Sequence, residues 1–255
     1  MPRSWMVLAV LVLRTCWAQA PDYTAADIVN ASDYSAGPFA PNSVLTVFGS
    51  NLSWYTASFG ASGSTATVPT SLSGVQVFVD ITPAPLLYVS SSQVNFLVPS
   101  GAGTGTVAIR VVREGITGPI ATVVLIGSAP ALFDTGTGFA IATHLDGSLL
   151  TEASPAHAGE IVVVYATGLG ATDPNPEPGE IPTAAAIIQS VASLRISLDG
   201  APLPPGLLYY AGATPDSAGL YQLNIQLPQD IAADPAIQIA IGVKSSSAGL
   251  RIPVQ

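Results

Sequence analysis

The chain has 255 residues, 49% hydrophobic and only 9% charged, with 7 basic residues against 16 acidic ones and a formal net charge of −9 at pH 7. That balance disfavours binding to nucleic acid or anionic lipid by counterion release, and the apolar fraction is enough to build a core, which argues against a disordered chain. A single cysteine, with 24 glycines and 22 prolines set between short apolar runs, points to a turn-rich chain that uses no disulfides.

Residues 1–20 read as a secretory signal peptide: Arg3 supplies the positive start, Trp5 to Leu13 (WMVLAVLVL) the apolar run, and Ala18-Gln19-Ala20 the small-residue cleavage site, with the cut after Ala20. The apolar run falls short of the roughly 20 residues that span a bilayer, so no stable membrane insertion is expected after cleavage. Cys16 is a poor lipid-attachment site, because Arg14 stands where a small residue is needed. The mature chain keeps 5 basic residues against 16 acidic, a net charge of about −11, and no cysteine, which excludes thiol catalysis and thiolate metal sites.

Residues 21–41 read as an extended arm whose Tyr23, Ile28, Val29, Tyr34 and Phe39 can tack it onto the first folded unit. That unit, 42–127, carries candidate strands at 44–48, 75–79, 86–89, 94–98, 106–112 and 120–126, several alternating apolar and polar with period two. A bridge, 128–158, contains FAIATHLDGSLL, whose Asp146-Gly147 between apolar arms is a hairpin signal; the hairpin is expected to pack on one or both neighbours. The second unit, 159–255, repeats the list at 161–165, 194–198, 207–210, 220–227, 237–243 and 250–254.

The two units are copies of one plan. SVLTVFGSNL at Ser43 matches EIVVVYATGL at Glu160, an offset of 117 residues, and VQVFVD/LRISLD, LLYV/LLYY and QVNFLVP/QLNIQLP come in the same order. Short strands, close turn signals and no helical stripe predict an all-β fold of two tandem immunoglobulin-like β-sandwiches joined by the hairpin-containing bridge; one larger sandwich made of both halves is the alternative. The copies diverge at Asp80-Ile81, where the second has Asp199-Gly200 and the first is expected to need a longer loop through Pro83. They diverge again where the second copy carries eight extra residues, which places AGATPDSAG, 211–219, in an enlarged loop.

PNSVLTVFGSNLS with VQVFVDITPAPLLYVSSSQVNFLVPSGAGTGTVAIRVV resembles the IPT/TIG class of immunoglobulin-like domains. With APALF, DGSL, EIVVVYATGLG and AGLYQLNIQLP, the stretch from Tyr34 to Gln255 is similar to an uncharacterised conserved C-terminal region of secreted proteins from Solibacter and other acidobacteria. The resemblance implies fold and an extracellular bacterial setting, and no activity.

Candidate chemistry is sparse. No Ser stands in a G-x-S-x-G elbow, and His144 and His157 read as turn residues, leaving a hydrolase site at the seam between the units as the weakest option. Asp173, Asn175 and Glu177 alternate like calcium ligands, but Ala184 holds the twelfth position, where an EF-hand loop needs Glu. Trp54 and Tyr55, opening a Ser/Gly/Thr-rich loop, are the candidate ligand contacts, able to stack on a sugar ring or to cover the sandwich end. Tyr209, Tyr210 and Tyr221 are expected in the core or an interface, and the sequons at Asn30 and Asn51 read as chance matches in a bacterial chain. The expectation is a secreted or cell-surface, non-enzymatic structural, adhesion or protein-interaction module without cofactor or metal, with an extracellular carbohydrate-binding module as the alternative. Its partner is then another protein or a glycan, and an edge strand can pair with a further chain.

Overall fold

A computed structural model describes residues 19–60 and 67–255. Most of the expected signal peptide, including Cys16, lies outside the described residues. The strands of the first half are β1 (Ile28–Asn30), β2 (Val44–Phe48), β3 (Ala57–Ser58), β4 (Val75–Val79), β5 (Thr82–Ala84), β6 (Leu86–Val89), β7 (Gln93–Leu97), β8 (Gly105–Arg113) and β9 (Ile116–Leu125). Then come β10 (Ala131–Leu132), β11 (Ala142–His144), β12 (Ile161–Thr167), β13 (Thr172–Asp173), β14 (Ala186–Ile188) and β15 (Leu194–Leu198). The chain closes with β16 (Ala201–Pro202), β17 (Leu208–Ala213), β18 (Tyr221–Gln226), β19 (Ile237–Ile241) and β20 (Lys244–Ser245). Among the described residues the only helical pieces are three single 3-10 turns, and no helix is long and apolar enough to cross a membrane.

The fold is all-β, with two immunoglobulin-like sandwiches. In the first, the sheet β1-β2-β7-β6-β3 faces the sheet β5-β4-β8-β9; in the second, β10-β12-β18-β17-β14-β13, with β11 also on β12, faces β16-β15-β19-β20. Period-two alternation drives this layering: Val75, Val77 and Val79 of β4 turn inward, as do Ile237, Ile239 and Ile241 of β19. Each pair of sheets closes over its own apolar core, centred on residues such as Leu45, Val77, Phe96 and Ile109 in the first and Val164, Ile196, Leu223 and Ile239 in the second. Burial of each such side chain stabilises by about 1.5–3 kcal/mol.

The repeat extends to side-chain bonds. Gln93 Nε2 donates to Asn95 Oδ1 at 2.9 Å and Gln222 Nε2 to Asn224 Oδ1 at 3.0 Å. The β6/β7 register shifts between Leu86 and Tyr88, and β17/β18 shifts between Leu208 and Tyr210, the same bulge in both copies.

The Asp80 turn corrects an expectation. Val79 pairs with Thr82, so Asp80-Ile81 is a two-residue turn and no longer loop forms through Pro83. Asp80 takes the positive φ of 54°, Ile81 is spared it, and Asp80 Oδ1 accepts the Ala108 N–H at 2.8 Å. Asp199 does the same at φ 48° with the Ala236 N–H, also at 2.8 Å, and there Gly200 follows it at φ 79°, so the aspartate bond is common to both turns while only the second adds a positive-φ glycine. Other boundaries differ too: β9 starts at Ile116 and β19 ends at Ile241. Residues 250–254 make isolated bridges instead of a strand, and Ala211 to Ala213 extend β17, leaving a shorter loop from Thr214 to Gly219.

The arm is built into the first sandwich: β1 pairs with β2, and Tyr23, Ile28 and Phe39 enter its core, while Tyr34 stays exposed. The bridge adds β10 and β11 to the sheet edge of β12 in the second. Between the sandwiches, Val44, Val68 and Leu97 form a small third apolar cluster with Phe59, Ile181 and Ala218. Around it the Val44 N–H donates to Thr167 Oγ1 at 3.2 Å, Thr167 Oγ1 donates to the Gly219 carbonyl at 3.1 Å, and the Val68 N–H donates to the Gly179 carbonyl at 2.8 Å. The acidic stretch 171–180 and the inserted stretch 211–219 therefore act as struts against the first sandwich.

Candidate functional site

Trp54 and Tyr55 come after β2, through a turn whose inner side is fixed. Leu52 is fully buried, and Ser53, itself buried, accepts the Tyr55 N–H on its Oγ at 3.2 Å and donates to the Tyr55 carbonyl at 2.7 Å. This leaves the two adjacent aromatics outside, with Trp54 49% and Tyr55 67% exposed. Trp54 is nevertheless held in place. Its Nε1 donates to Glu114 Oε2 at 3.1 Å, and its ring centroid lies 3.7 Å from the guanidinium carbon of Arg113.

Arg113 is the residue that sequence reasoning missed. It ends β8, whose inward positions are Val107, Ile109, Val111 and then Arg113, and it is fully buried. The parity was readable, but a charged residue on the core side of a strand runs against the usual burial preference. Among the described residues no carboxylate is hydrogen-bonded to it. One terminal nitrogen donates to the Asn51 carbonyl, the other to the Gln19 carbonyl, and Nε has no partner. A buried guanidinium satisfied only by two carbonyls and an indole face is costly to keep, and it gives the Trp54 ring a cationic floor. An exposed pair of aromatics on a fixed backbone can stack on an apolar sugar face or seat a partner's side chain.

The other sequence candidates resolve differently. His144 Nδ1 lies 2.5 Å from Glu160 Oε1, and Nε2 lies 3.3 Å from both the Oγ and the carbonyl of Ser154. Ser154, His144 and Glu160 thus fall in the order of an acyl-transfer relay. The Glu160 bond raises the His144 pKa, and in the imidazolium form, which donates from both nitrogens, His144 has no lone pair for the Ser154 proton. His157 is exposed and meets Glu160 through its backbone: its N–H donates to Glu160 Oε2 at 2.9 Å and its carbonyl accepts the Glu160 N–H at 3.0 Å. Nor do the histidines sit at the seam: His144 pairs with Val162, five residues along β12 from Thr167, or about 16 Å at strand rise.

In the acidic loop, Asn175 Oδ1 receives Asn42 Nδ2 and the Thr172 N–H, and the Glu177 N–H donates to Glu180 Oε2, so these oxygens serve the turn and the seam. Among the described residues no group of three or more His, Cys, Asp or Glu side chains is placed to hold a metal. Tyr221 is buried, with its OH on the Gly170 carbonyl at 2.5 Å and its pKa driven up by desolvation. Tyr210 bonds the Ala213 carbonyl at 2.7 Å, whereas Tyr209 proves to be 58% exposed, because the β17 bulge turns it outward. An open groove of about 620 Å³, lined by Val191, Leu194, Ile196, Leu203, Leu208 and Arg195, lies on the second sandwich and had no counterpart among the sequence motifs.

A family model described as IPT/TIG domain matches residues 29–133. That stretch holds the first sandwich from Val29 in β1 through β9, together with β10 of the second. No curated protein matches the chain. Among solved structures, the surface glycan-binding protein PbSGBP-B from Prevotella bryantii is similar at 13% identity and TM-score 0.28, over 92% of this chain and 42% of that one. SGBP-B of the Bacteroides ovatus mixed-linkage glucan utilization locus, in complex with a mixed-linkage heptasaccharide, is similar at 11% identity and TM-score 0.33, over 88% and 47%. Domains 5–6 of the S-layer protein SbsC are similar at 12% identity and TM-score 0.29, over 89% and 96%. The chain spans less than half the length of either glycan-binding protein. The immunoglobulin-like plan rests on the sheet pairing and the IPT/TIG match rather than on these distant structures.

Proposed function

We propose that this chain is a non-catalytic module of the cell surface or extracellular space, in which two tandem immunoglobulin-like units, 42–127 and 159–255, hold an adhesion or protein-interaction face in fixed orientation. The observation that carries the reading is the seam, where Thr167 bonds both Val44 and Gly219 and where Gly179 and Gly219 pack against the first sandwich. Such a joint costs chain freedom that a flexible linker would keep, and it suits a scaffold that transmits position rather than one that closes on a substrate. Export rests on the leader pattern of residues 1–20, and descent from the acidobacterial secreted region rests on the sequence resemblance. The test is binding of the purified mature chain to whole cells and extracellular matrix of its source, beside an esterase and glycosidase panel. Saturable binding with silent panels is expected, and turnover abolished by His144→Ala or Ser154→Ala would overturn the reading.

A second reading is favoured by Trp54 and Tyr55: the partner is an extracellular glycan stacked on the exposed aromatics. A glycan array decides it, because Tyr55→Ala and Trp54→Ala should each abolish any signal, and a signal indifferent to both would place the glycan elsewhere.

A further inference from the structure

The position of leader cleavage is bound up with Arg113. Its guanidinium is fully buried and is met by the Asn51 carbonyl, the Gln19 carbonyl and the Trp54 ring. Gln19 is bound a second time, by Asn51 Nδ2 on its Oε1 at 3.4 Å. Directly after it the chain is clamped: Pro21 is buried, the Asp22 N–H donates to the Ser50 carbonyl at 3.0 Å, and the Ser50 N–H returns to the Asp22 carbonyl at 2.9 Å. Gly118 lies so close that a side chain there would meet Pro21 Cβ and its carbonyl at 3.0 Å. Residues 19–23 are therefore part of the first sandwich rather than the stub of a leader.

Two cuts satisfy the need for small residues one and three places before the scissile bond. Ala18-Gln19-Ala20 puts the cut before Pro21, and Cys16-Trp17-Ala18 puts it before Gln19. The first asks a peptidase to hydrolyse a tertiary prolyl amide whose nitrogen carries no hydrogen and whose ring crowds the extended binding register. It would also remove the Gln19 carbonyl and leave the Arg113 nitrogen that donates to it without its acceptor. Losing the acceptor of a buried charged donor is among the more expensive polar losses. The second cut keeps the carbonyl.

We propose that the leader ends at Ala18 and that the mature chain begins at Gln19, whose backbone carbonyl is a fixed acceptor for Arg113 beneath Trp54. A signal peptidase adds water across the Ala18–Gln19 bond, Ala18 departs with the carboxylate, and Gln19 gains the amine. The proposal rests on the export reading and moves its cut by two residues. It also makes processing part of the Trp54 site, since the cut decides whether the cationic floor is complete.

The test is intact mass and N-terminal sequencing of the full chain exported with its own leader from a bacterial host. A start at Gln19 is expected, with or without loss of the ammonia that an N-terminal glutamine expels on cyclising. A start at Pro21 or beyond would overturn the proposal while leaving export standing, whereas an uncut chain beginning at Met1 would overturn both. Independently of export, chains released from a cleavable fusion to begin at Gln19 or at Pro21 can be melted side by side. The Pro21 start should melt lower by about 4 °C or more, and the gap should close in an Arg113→Met background. Equal melting temperatures would overturn the structural basis.

Discussion

Gly219 meets Leu97 across the seam with no space for a side chain between them: a Cβ on Gly219 would lie 2.0 Å from Leu97 Cδ2 and 3.0 Å from Val44 Cγ2. Gly219 also sits at φ +72°, where an L-residue is strained. Gly219→Ala should therefore destabilise the chain by about 2–4 kcal/mol, from overpacking plus backbone strain. Urea denaturation measures it. Leu97→Ala should recover the overpacking part in the double variant, so the two effects should fall short of additive, and strict additivity would mean that the contact is not what costs.

Thr167 gives the seam its second test. Its buried Oγ1 accepts from the Val44 N–H at 3.2 Å and donates to the Gly219 carbonyl at 3.1 Å. Thr167→Val keeps the shape and leaves a buried N–H without its acceptor, a loss of about 1–3 kcal/mol, whereas Thr167→Ser keeps the hydroxyl and should lose less than half of that. If the two variants melt alike, the hydroxyl is not bridging the sandwiches.

The contrast between strands and seam shows what the sequence could carry. The bounds of β4 and β15 follow from period-two alternation, which needs only neighbours in the chain, those of β2 and β6 from short apolar runs between turn residues, and the doubled bulge and Gln-x-Asn bonds from the repeat. Asp80 misled because its positive φ is held by the Ala108 N–H, 28 residues away, so the local lack of glycine said nothing about the turn. Gly179 and Gly219 looked like ordinary loop glycines, since their meaning lies in Pro85, Val68 and Leu97 of the other sandwich. For the candidate site, Trp54 and Tyr55 were legible as aromatics opening a polar loop. Arg113 lies one residue beyond the expected strand 106–112, and a charged residue is rarely buried without an ion partner.

Trp54 and Tyr55 should separate stability from binding. Tyr55 uses only its backbone to hold the turn, so Tyr55→Ala should leave the melting temperature within a degree or two and act on binding alone. Trp54→Ala uncovers Arg113 and frees the Glu114 carboxylate, so it should cost about 1–2 kcal/mol of stability besides. Thermal melts paired with binding to the same ligand measure both, and equal stability losses from the two substitutions would remove the distinction.

The His144–Glu160 pair predicts a pH dependence with a definite sign. The carboxylate hydrogen bond at 2.5 Å raises the His144 pKa, outweighing the opposing desolvation. The unfolded chain titrates near 6.5, so folding favours the imidazolium. The pair's contribution is then complete below about pH 6.5 and is lost as the pH rises through the higher folded value. Both side chains are about a fifth exposed, so the size is that of a screened surface pair, about 0.5–1 kcal/mol. The stability difference between the native chain and His144→Gln, read from urea midpoints, should be largest near pH 5.5 and shrink toward pH 8.5. Glu160→Gln should flatten the dependence. A difference that instead grows with pH would mean that neutral His144 is the form the fold prefers, and the Ser154 relay would then regain the lone pair it needs.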